Sequence, residues 1–160
     1  MTEPLLILVD KDDQEIGQMN KLEAHEKGVL HRAISVLIFN SKGEWLLQKR
    51  ASSKYHSPSL WSNTCCSHPI PGEISLKAAK RRLWEEMGMI VDINFIFDFT
   101  YRADFSNGLI EHELDHVFVG TSDELPILNR EEAEDFEYVD QNLLLKRLEE
   151  NPSDYTEWFK

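Results

Sequence analysis

Glu111 and Glu113 stand two residues apart in a stretch, 109–119, whose Val and Phe content predicts a β-strand. Alternate residues of a strand share a face, so the two carboxylates aim at one place. Like charges held together repel unless a cation or a shared proton intervenes, and a metal is the economical answer. His25, His31 and His68 are available to complete the shell. Three imidazoles with two carboxylates suit a borderline divalent ion such as Mn2+ or Zn2+. The histidines carry no metal-binding spacing of their own, so a solvated strand face beside unrelated surface histidines accounts for the same residues.

The same stretch holds His112-Glu113-Leu114-Asp115-His116, which matches the H-E-x-x-H pattern of zinc proteases. That pattern brings its histidines together only on a helix. On the strand expected here they lie about 13 Å apart, too far to share one zinc.

A second constellation runs through residues 67–89, SHPIPGEISLKAAKRRLWEEMGM. Ordered on Gly88, it resembles the Nudix signature, with Glu73, Arg81, Leu83, Glu85, Glu86 and Gly88 in register. Two positions depart from it. Ser67 stands where a Gly is expected, and Arg82 replaces the first glutamate of the helix. In Nudix hydrolases the helix glutamates hold the metals that activate water, so a cation at 82 removes a ligand and adds repulsion. A single Mg2+ between Glu86 and a diphosphate survives the change. A plain surface helix with i,i+4 pairs Arg81–Glu85 and Arg82–Glu86 also accounts for this pattern.

The run Trp61 to Pro69, WSNTCCSHP, joins these pieces. With LLQKRASSK before it, RRLWEEMG after it, the IEHELDH segment and TEWFK near the C-terminus, it is similar to the type I isopentenyl-diphosphate isomerase family, a Nudix-related group. The resemblance runs from about residue 5 to the end. It implies an α+β fold, a Nudix-like α/β/α sandwich with a mixed sheet and antiparallel hairpins. It implies Cys66 and Glu113 as catalytic residues, with Tyr101 assisting Glu113. It further implies His25, His31, His68, Glu111 and Glu113 as metal ligands, and Glu86 as the residue serving a Mg2+ on the diphosphate. Lys21, Arg50, Lys54 and Arg82 match the cationic diphosphate grip, and Trp158 matches the aromatic over the hydrocarbon tail. Ser59 follows Pro58 where Gly is common in the family, and the His25–His31 spacing is one residue shorter than in some members.

The implied reaction interconverts isopentenyl and dimethylallyl diphosphate by protonation and deprotonation through a tertiary carbocation. It needs acid and base groups on opposite faces of the carbon skeleton and a site that excludes water. Two rivals remain at this stage, a Nudix pyrophosphohydrolase and a non-catalytic metal-dependent binder of diphosphates.

The elements that must position these residues follow from hydrophobic period and turn chemistry. Strands are expected at 5–9, 31–39, 45–49, 93–101, 109–119 and 136–139. Turns are expected at 11–13, 41–43 and Asn107-Gly108, and a polar loop over 51–62. The spacing predicts a helix over 75–87, capped by Ser75, striped by Leu76, Ala79, Leu83 and Met87, and stopped by Gly88. Terminal helices are expected at 142–150 and 153–159. The whole length, 160 residues, suits one domain. A net charge of −12 argues against nucleic-acid and anionic-membrane partners, so a phosphorylated small molecule must meet a local basic patch or bound metal. Two adjacent cysteines exclude a disulfide scaffold. The beginning has no basic leader and no apolar run approaches a membrane span. A cytoplasmic location is the expectation, and the oligomeric state is left open.

Overall fold

A computed structural model describes residues 5–52, 59–105, 108–156 and 159. The Lys54 and Trp158 positions lie outside the described residues.

Among the described residues, one mixed sheet collects nine strands. β1 (Leu5–Val9) and β2 (Glu15–Asn20) form a hairpin that leads into α1 (Lys21–Lys27). β3 (His31–Phe39) and β4 (Trp45–Arg50) flank the Asn40–Glu44 turn, in which Gly43 takes a left-handed φ of 77°. Two short strands follow, β5 (Trp61–Ser62) and β6 (Cys65–Ser67). After α2 (Ser75–Met87) come the long hairpin β7 (Ile93–Asp104) and β8 (Ile110–Thr121), then β9 (Ala133–Val139) and α3 (Gln141–Glu150).

β3 is the organising strand. β8 runs parallel along one edge of it, from His31↔Glu113 to Phe39↔Thr121. Its other edge is shared by β1 at His31, β6 at Ile34–Val36, and β4 at Phe39. Its even residues Ile34, Val36 and Ile38 pack with Leu46 and Cys65 against Ala78, Ala79, Leu83 and Met87 of α2. On the other face of β4 and β9, Leu47 and Val139 pack with Leu144 of α3 and with Tyr155. Helices thus cover both faces of a mixed sheet, the expected α/β/α sandwich.

Several sequence expectations need correction. α2 has the expected bounds, but Ser75 does not cap it. Ile74 is the cap residue, with no side-chain hydrogen bond, and Ser75 Oγ lies 2.7 Å from His116 Nδ1. Leu76, placed on the buried stripe, is 36% exposed, while Ala78 takes its place in the core. The 51–62 loop ends in the β5 strand. The final helix expected over 153–159 shrinks, among the described residues, to a single 3-10 turn, Pro152–Asp154. Tyr155 then bridges Trp61 in extended form, so tertiary pairing overrides a weak local helix preference. β2 and α1 were absent from the sequence expectation. No helix among the described residues is long and apolar enough to cross a membrane.

Candidate functional site

Register alone sets one row of side chains across three strands. Tyr101 of β7 faces Glu113 of β8, and Glu113 faces His31 of β3. Side chains directly opposite on neighbouring strands stand close enough to touch. His31 Nε2 lies 3.1 Å from Glu113 Oε2, and the Tyr101 hydroxyl donates to Glu113 Oε1. The segment 109–119 is therefore a strand, and the helix that H-E-x-x-H would require is absent.

Two further imidazoles arrive from short elements. α1 starts at Asn20, whose side chain accepts from Glu23 N–H at 2.8 Å, and it ends at Gly28 in the left-handed conformation. Those caps fix two helical turns, and His25 turns inward, fully buried. β6 pairs with β3 at Ser67↔Ile34, which delivers His68 to 2.5 Å from Glu113 Oε2. One ligand atom from each of His25, His31, His68 and Glu113 falls within 4.8 Å of all the others. Glu111 sits beside this group, 3.8 Å from His25 Nε2 and accepting from the Tyr101 hydroxyl at 3.1 Å.

The donor set suits a metal. His25 Nδ1 lies 2.7 Å from the Lys21 carbonyl and His31 Nδ1 3.0 Å from the Val29 carbonyl. An N–H on each Nδ1 satisfies those carbonyls and leaves the Nε2 lone pairs directed at the centre, the usual arrangement for ligating histidine. Ligand atoms on a metal at about 2.1 Å stand at most about 4.2 Å apart, a small contraction from the spacing seen. This His/Glu group could hold a divalent ion.

Electrostatics divide the two carboxylates. Burial opposes charge on Glu113, but His68 and His31 together outweigh it and hold that carboxyl well below the usual range. Glu111 is raised by burial and by the charge of Glu113. Burial pushes His68 down to about 3, against the pull of Glu113. Tyr101 is raised well above the ordinary phenol by burial and by the Glu113 and Glu111 charges, so it remains a donor.

Cys66 comes from β6, on the opposite edge of β3 from Glu113. Its thiol is pushed up to about 12, chiefly by burial, with Arg50 pulling the other way. Ser62 Oγ lies 3.8 Å from the sulfur. Cys66 and Glu113 line one small cavity of about 40 Å3, together with Lys21, Arg50, His68, Arg82, Glu86 and Glu111. Neither cysteine forms a disulfide.

Glu86 stands apart from the imidazole cluster. Its Oε1 accepts from Gln48 Nε2 at 3.0 Å, and its Oε2 lies 2.8 Å from Arg82 Nη2. Arg82 also meets Glu85 at 2.8 Å and Glu132 at 3.2 Å. Burial works against the Arg82 charge, yet Glu86 and Glu132 raise it above an ordinary arginine.

Sequence reasoning missed Asp115, Ser35 and Gln48. Asp115 extends the alternation of Glu111 and Glu113 and is 2% exposed. Ser35 donates to its Oδ2 at 2.6 Å, and its Oδ1 is buried without a hydrogen-bond partner among the described residues. Burial and the Glu113 charge raise Asp115 well above the usual carboxylate. The same sheet face continues into an apolar groove of about 320 Å3 lined by Leu37, Trp45, Phe97, Phe99, Val117 and Phe159 among others.

Comparison with known proteins adds an independent line. A NUDIX domain family profile matches residues 29–159. The chain is 52% identical over 155 residues to an isopentenyl-diphosphate Delta-isomerase of Pectobacterium atrosepticum, covering 97% of this chain and 87% of that protein. It is 53% identical over 158 residues to isopentenyl-diphosphate Delta-isomerase 1 of Aromatoleum aromaticum, covering 99% and 89%. Among solved structures, DR0079 from Deinococcus radiodurans is similar with a TM-score of 0.77 at 20% identity, over 92% of this chain and 90% of that one. A MutT protein from Methanosarcina mazei has a TM-score of 0.66 at 20% identity, over 81% and 87%. These two likenesses concern the fold.

Proposed function

Because the chain belongs to the isopentenyl-diphosphate Delta-isomerases, a family built on the NUDIX domain, we propose that Cys66 and Glu113 are the two groups that move protons as it shifts the double bond of isopentenyl diphosphate. One observation carries this reading: the two residues come from strands on either side of β3, yet line the same small cavity beside Lys21, Arg50 and Arg82.

The chemistry requires a proton at C4 and loss of one from C2. The C4 carbon gains a C–H bond with the alkene electron pair, and a tertiary cation forms at C3. A C2–H bond then breaks, its electrons forming the new C2=C3 bond, and the proton passes to a base. Cys66, kept as a thiol by burial, can give or take back a proton on its side of β3. Glu113, with Tyr101 donating to it, does so on the other. His25, His31, His68, Glu111 and Glu113 would hold a divalent ion, Mn2+ or Zn2+ on this donor chemistry, which would supply a fixed positive charge beside Glu113. The cation must be kept from water for the reaction to end in an alkene.

Lys21, Arg50 and Arg82 grip the diphosphate as a local basic patch on an acidic chain, with Lys54 as their expected fourth member. Both Glu86 oxygens are engaged, but each keeps a second lone pair, so Glu86 would be the residue to serve a Mg2+ carried on the diphosphate. The apolar groove beside Phe97 and Phe99 receives hydrocarbon, and the family resemblance gives Trp158 as the aromatic over the hydrocarbon tail, whose π face would favour the cation by about 1–2 kcal/mol. A cytoplasmic setting belongs to this reading, since two adjacent cysteines offer no disulfide scaffold.

Incubation with isopentenyl diphosphate and Mg2+/Mn2+ in heavy water tests the proposal. Deuterium should appear in dimethylallyl diphosphate. Released phosphate with no deuterium would instead establish a pyrophosphohydrolase, and tight binding with neither would leave only a binder.

A further inference from the structure

We propose that Ser75, His116 and Asp13 form a second reactive centre, separate from the His/Glu site, in which Ser75 attacks activated carboxylic esters.

His116 closes the H-E-x-x-H match of the sequence and takes no part in the imidazole cluster. Alternation along β8 turns it to the face opposite Glu113, where its register partner Ile34 packs against α2. There the ring lies between two oxygens. Nδ1 is 2.7 Å from Ser75 Oγ, and Nε2 is 2.7 Å from Asp13 Oδ2. Asp13 is held in turn by Arg32 of β3, whose Nε donates to Oδ1 at 2.9 Å and whose Nη2 donates to the Asp13 main-chain carbonyl at 2.8 Å. The start of α2, strand β8 and the β1–β2 turn thus bring nucleophile, base and orienting carboxylate within hydrogen-bond reach, the arrangement that activates a serine.

Proton accounting sets the direction of each bond. A carboxylate only accepts, so in the neutral imidazole Nε2 carries the proton and donates to Asp13. Nδ1 is then a bare lone pair, and the Ser75 hydroxyl donates to it. The two ring nitrogens exchange the roles they have in the common Ser-His-Asp triad, but the order of groups is the same. Ser75 Oγ keeps its lone pairs for attack.

The first turn of α2 meets the charge that attack would create. Ile74 caps the helix without a side-chain hydrogen bond, and Ala78 N–H donates to the Ile74 carbonyl at 3.1 Å. The N–H groups of Ser75, Leu76 and Lys77 precede that bond and have no acceptor within the helix, so they stand beside Ser75 as donors to an oxyanion. Ser75 and His116 are half-buried and open to reagent. Ile74 and Phe95 are 59% and 53% exposed, and the Phe95 ring stands edge-on to His116 at 5.9 Å. This surrounding suits a small apolar acyl group.

In the reaction, Ser75 Oγ bonds to the ester carbon while its proton passes to Nδ1 and the carbonyl electron pair moves onto oxygen. Collapse of that adduct expels the alcohol, which takes the proton from Nδ1. Water then attacks acyl-Ser75 by the same steps and releases the acid.

Treating the full chain with an alkyl fluorophosphonate tests this, since the Oγ–P bond forms as fluoride leaves and the adduct stays in place. Peptide mass spectrometry should find it on Ser75, and p-nitrophenyl acetate should give a burst of about one nitrophenolate per chain. Ser75→Ala should lose both and keep its isomerase turnover, because alanine suits the first turn of a helix. His116→Gln should slow labelling about 100-fold or more, the lower end of base catalysis. Asp13→Asn keeps a residue type that tolerates the φ of 62° found there. Nitrogen NMR should show His116 protonated on Nε2 in the wild type and on Nδ1 in that variant, with labelling about tenfold slower or more. No adduct on Ser75, labelling as fast in His116→Gln, or a burst that survives Ser75→Ala would overturn the proposal.

Discussion

Tyr101 and Glu113 are register partners on adjacent antiparallel strands, and the hydroxyl of one donates to the carboxylate of the other. The same hydroxyl reaches Glu111 at 3.1 Å. A single donor thus touches both acids of the candidate site, and its raised pKa keeps the proton available. Tyr101→Phe deletes this donor without changing the ring. Hydrogen bonds to charged groups contribute about 1.5–3 kcal/mol, so kcat should fall about 10- to 100-fold. KM and bound metal should change little, since neither the basic grip nor the imidazoles are touched. Steady-state kinetics with elemental metal analysis checks this, and a KM effect without a kcat effect would contradict it.

Cys66→Ala should abolish turnover while leaving substrate binding nearly intact, because it leaves the proposed diphosphate grip of Lys21, Arg50 and Arg82 untouched. Binding calorimetry set beside turnover separates the two. The thiol also makes a pH prediction. An unfolded cysteine loses its proton above about pH 8.5, whereas folded Cys66 keeps it to about 12. Between those limits the unfolded chain binds fewer protons, so stability falls as pH rises, by at most about 1.4 kcal/mol per unit from this group. Urea midpoints should decline above about pH 8.5 in the wild type and decline less steeply in Cys66→Ala. Identical slopes would show that the thiol is not held protonated.

What the sequence made legible was local. The 31–39 and 45–49 strands, α2 with Gly88 at its end, and the β7–β8 hairpin all carry their period and turn residues within a dozen positions. The shared face of Glu111 and Glu113 follows from that period alone. α1 did not show because seven residues make only two turns, held by Asn20 and Gly28 and not by a long apolar stripe. β2, Glu15–Asn20, has one β-branched residue and gains its form from pairing with β1. The meeting of His25, His31 and His68 depends on β6 joining β3 and α1 folding back toward β8, and no spacing encodes either contact. The family resemblance supplied that ligand set. Asp115 was readable from alternation, since it continues the two-residue step from Glu113, but the H-E-x-x-H pattern absorbed it.

Arg82 stands where the hydrolase signature has glutamate, and its guanidinium meets Glu85, Glu86 and Glu132. Arg82→Glu would restore one position of that signature but would place a fourth carboxylate among three. Glu86 is the buried member of that set, and leaving it without its cation costs up to about 3–5 kcal/mol, so a fall in melting temperature is expected, with weaker diphosphate binding and no useful hydrolysis. Arg82→Gln avoids the added repulsion. It should fold and raise KM about tenfold or more, as for loss of one charge-assisted hydrogen bond. Calorimetry and a phosphate-release assay check the pair, and efficient hydrolysis by Arg82→Glu would mean that residue 82 alone separates the two chemistries.

Gly88 closes α2 at a φ of 63°, and a Cβ built there would meet the Ile127 carbonyl oxygen at 2.5 Å. Both facts oppose any larger residue. The left-handed conformation costs a non-glycine residue about 1–2 kcal/mol, and the contact forces residue 127 outward. That segment is bound to the end of the helix, by Ile127 N–H to the Met87 carbonyl at 2.8 Å and Asn129 N–H to the Glu86 carbonyl at 3.0 Å. Gly88→Ala should therefore destabilise the fold by about 2–4 kcal/mol, lowering the melting temperature by about 10 °C. Because the displaced segment is anchored on the backbone of Glu86, the Mg2+ concentration needed for half-maximal rate should rise as well. A stable Gly88→Ala protein with an unchanged Mg2+ requirement would show that the helix end and the 127–129 segment are not coupled to the diphosphate end of the site.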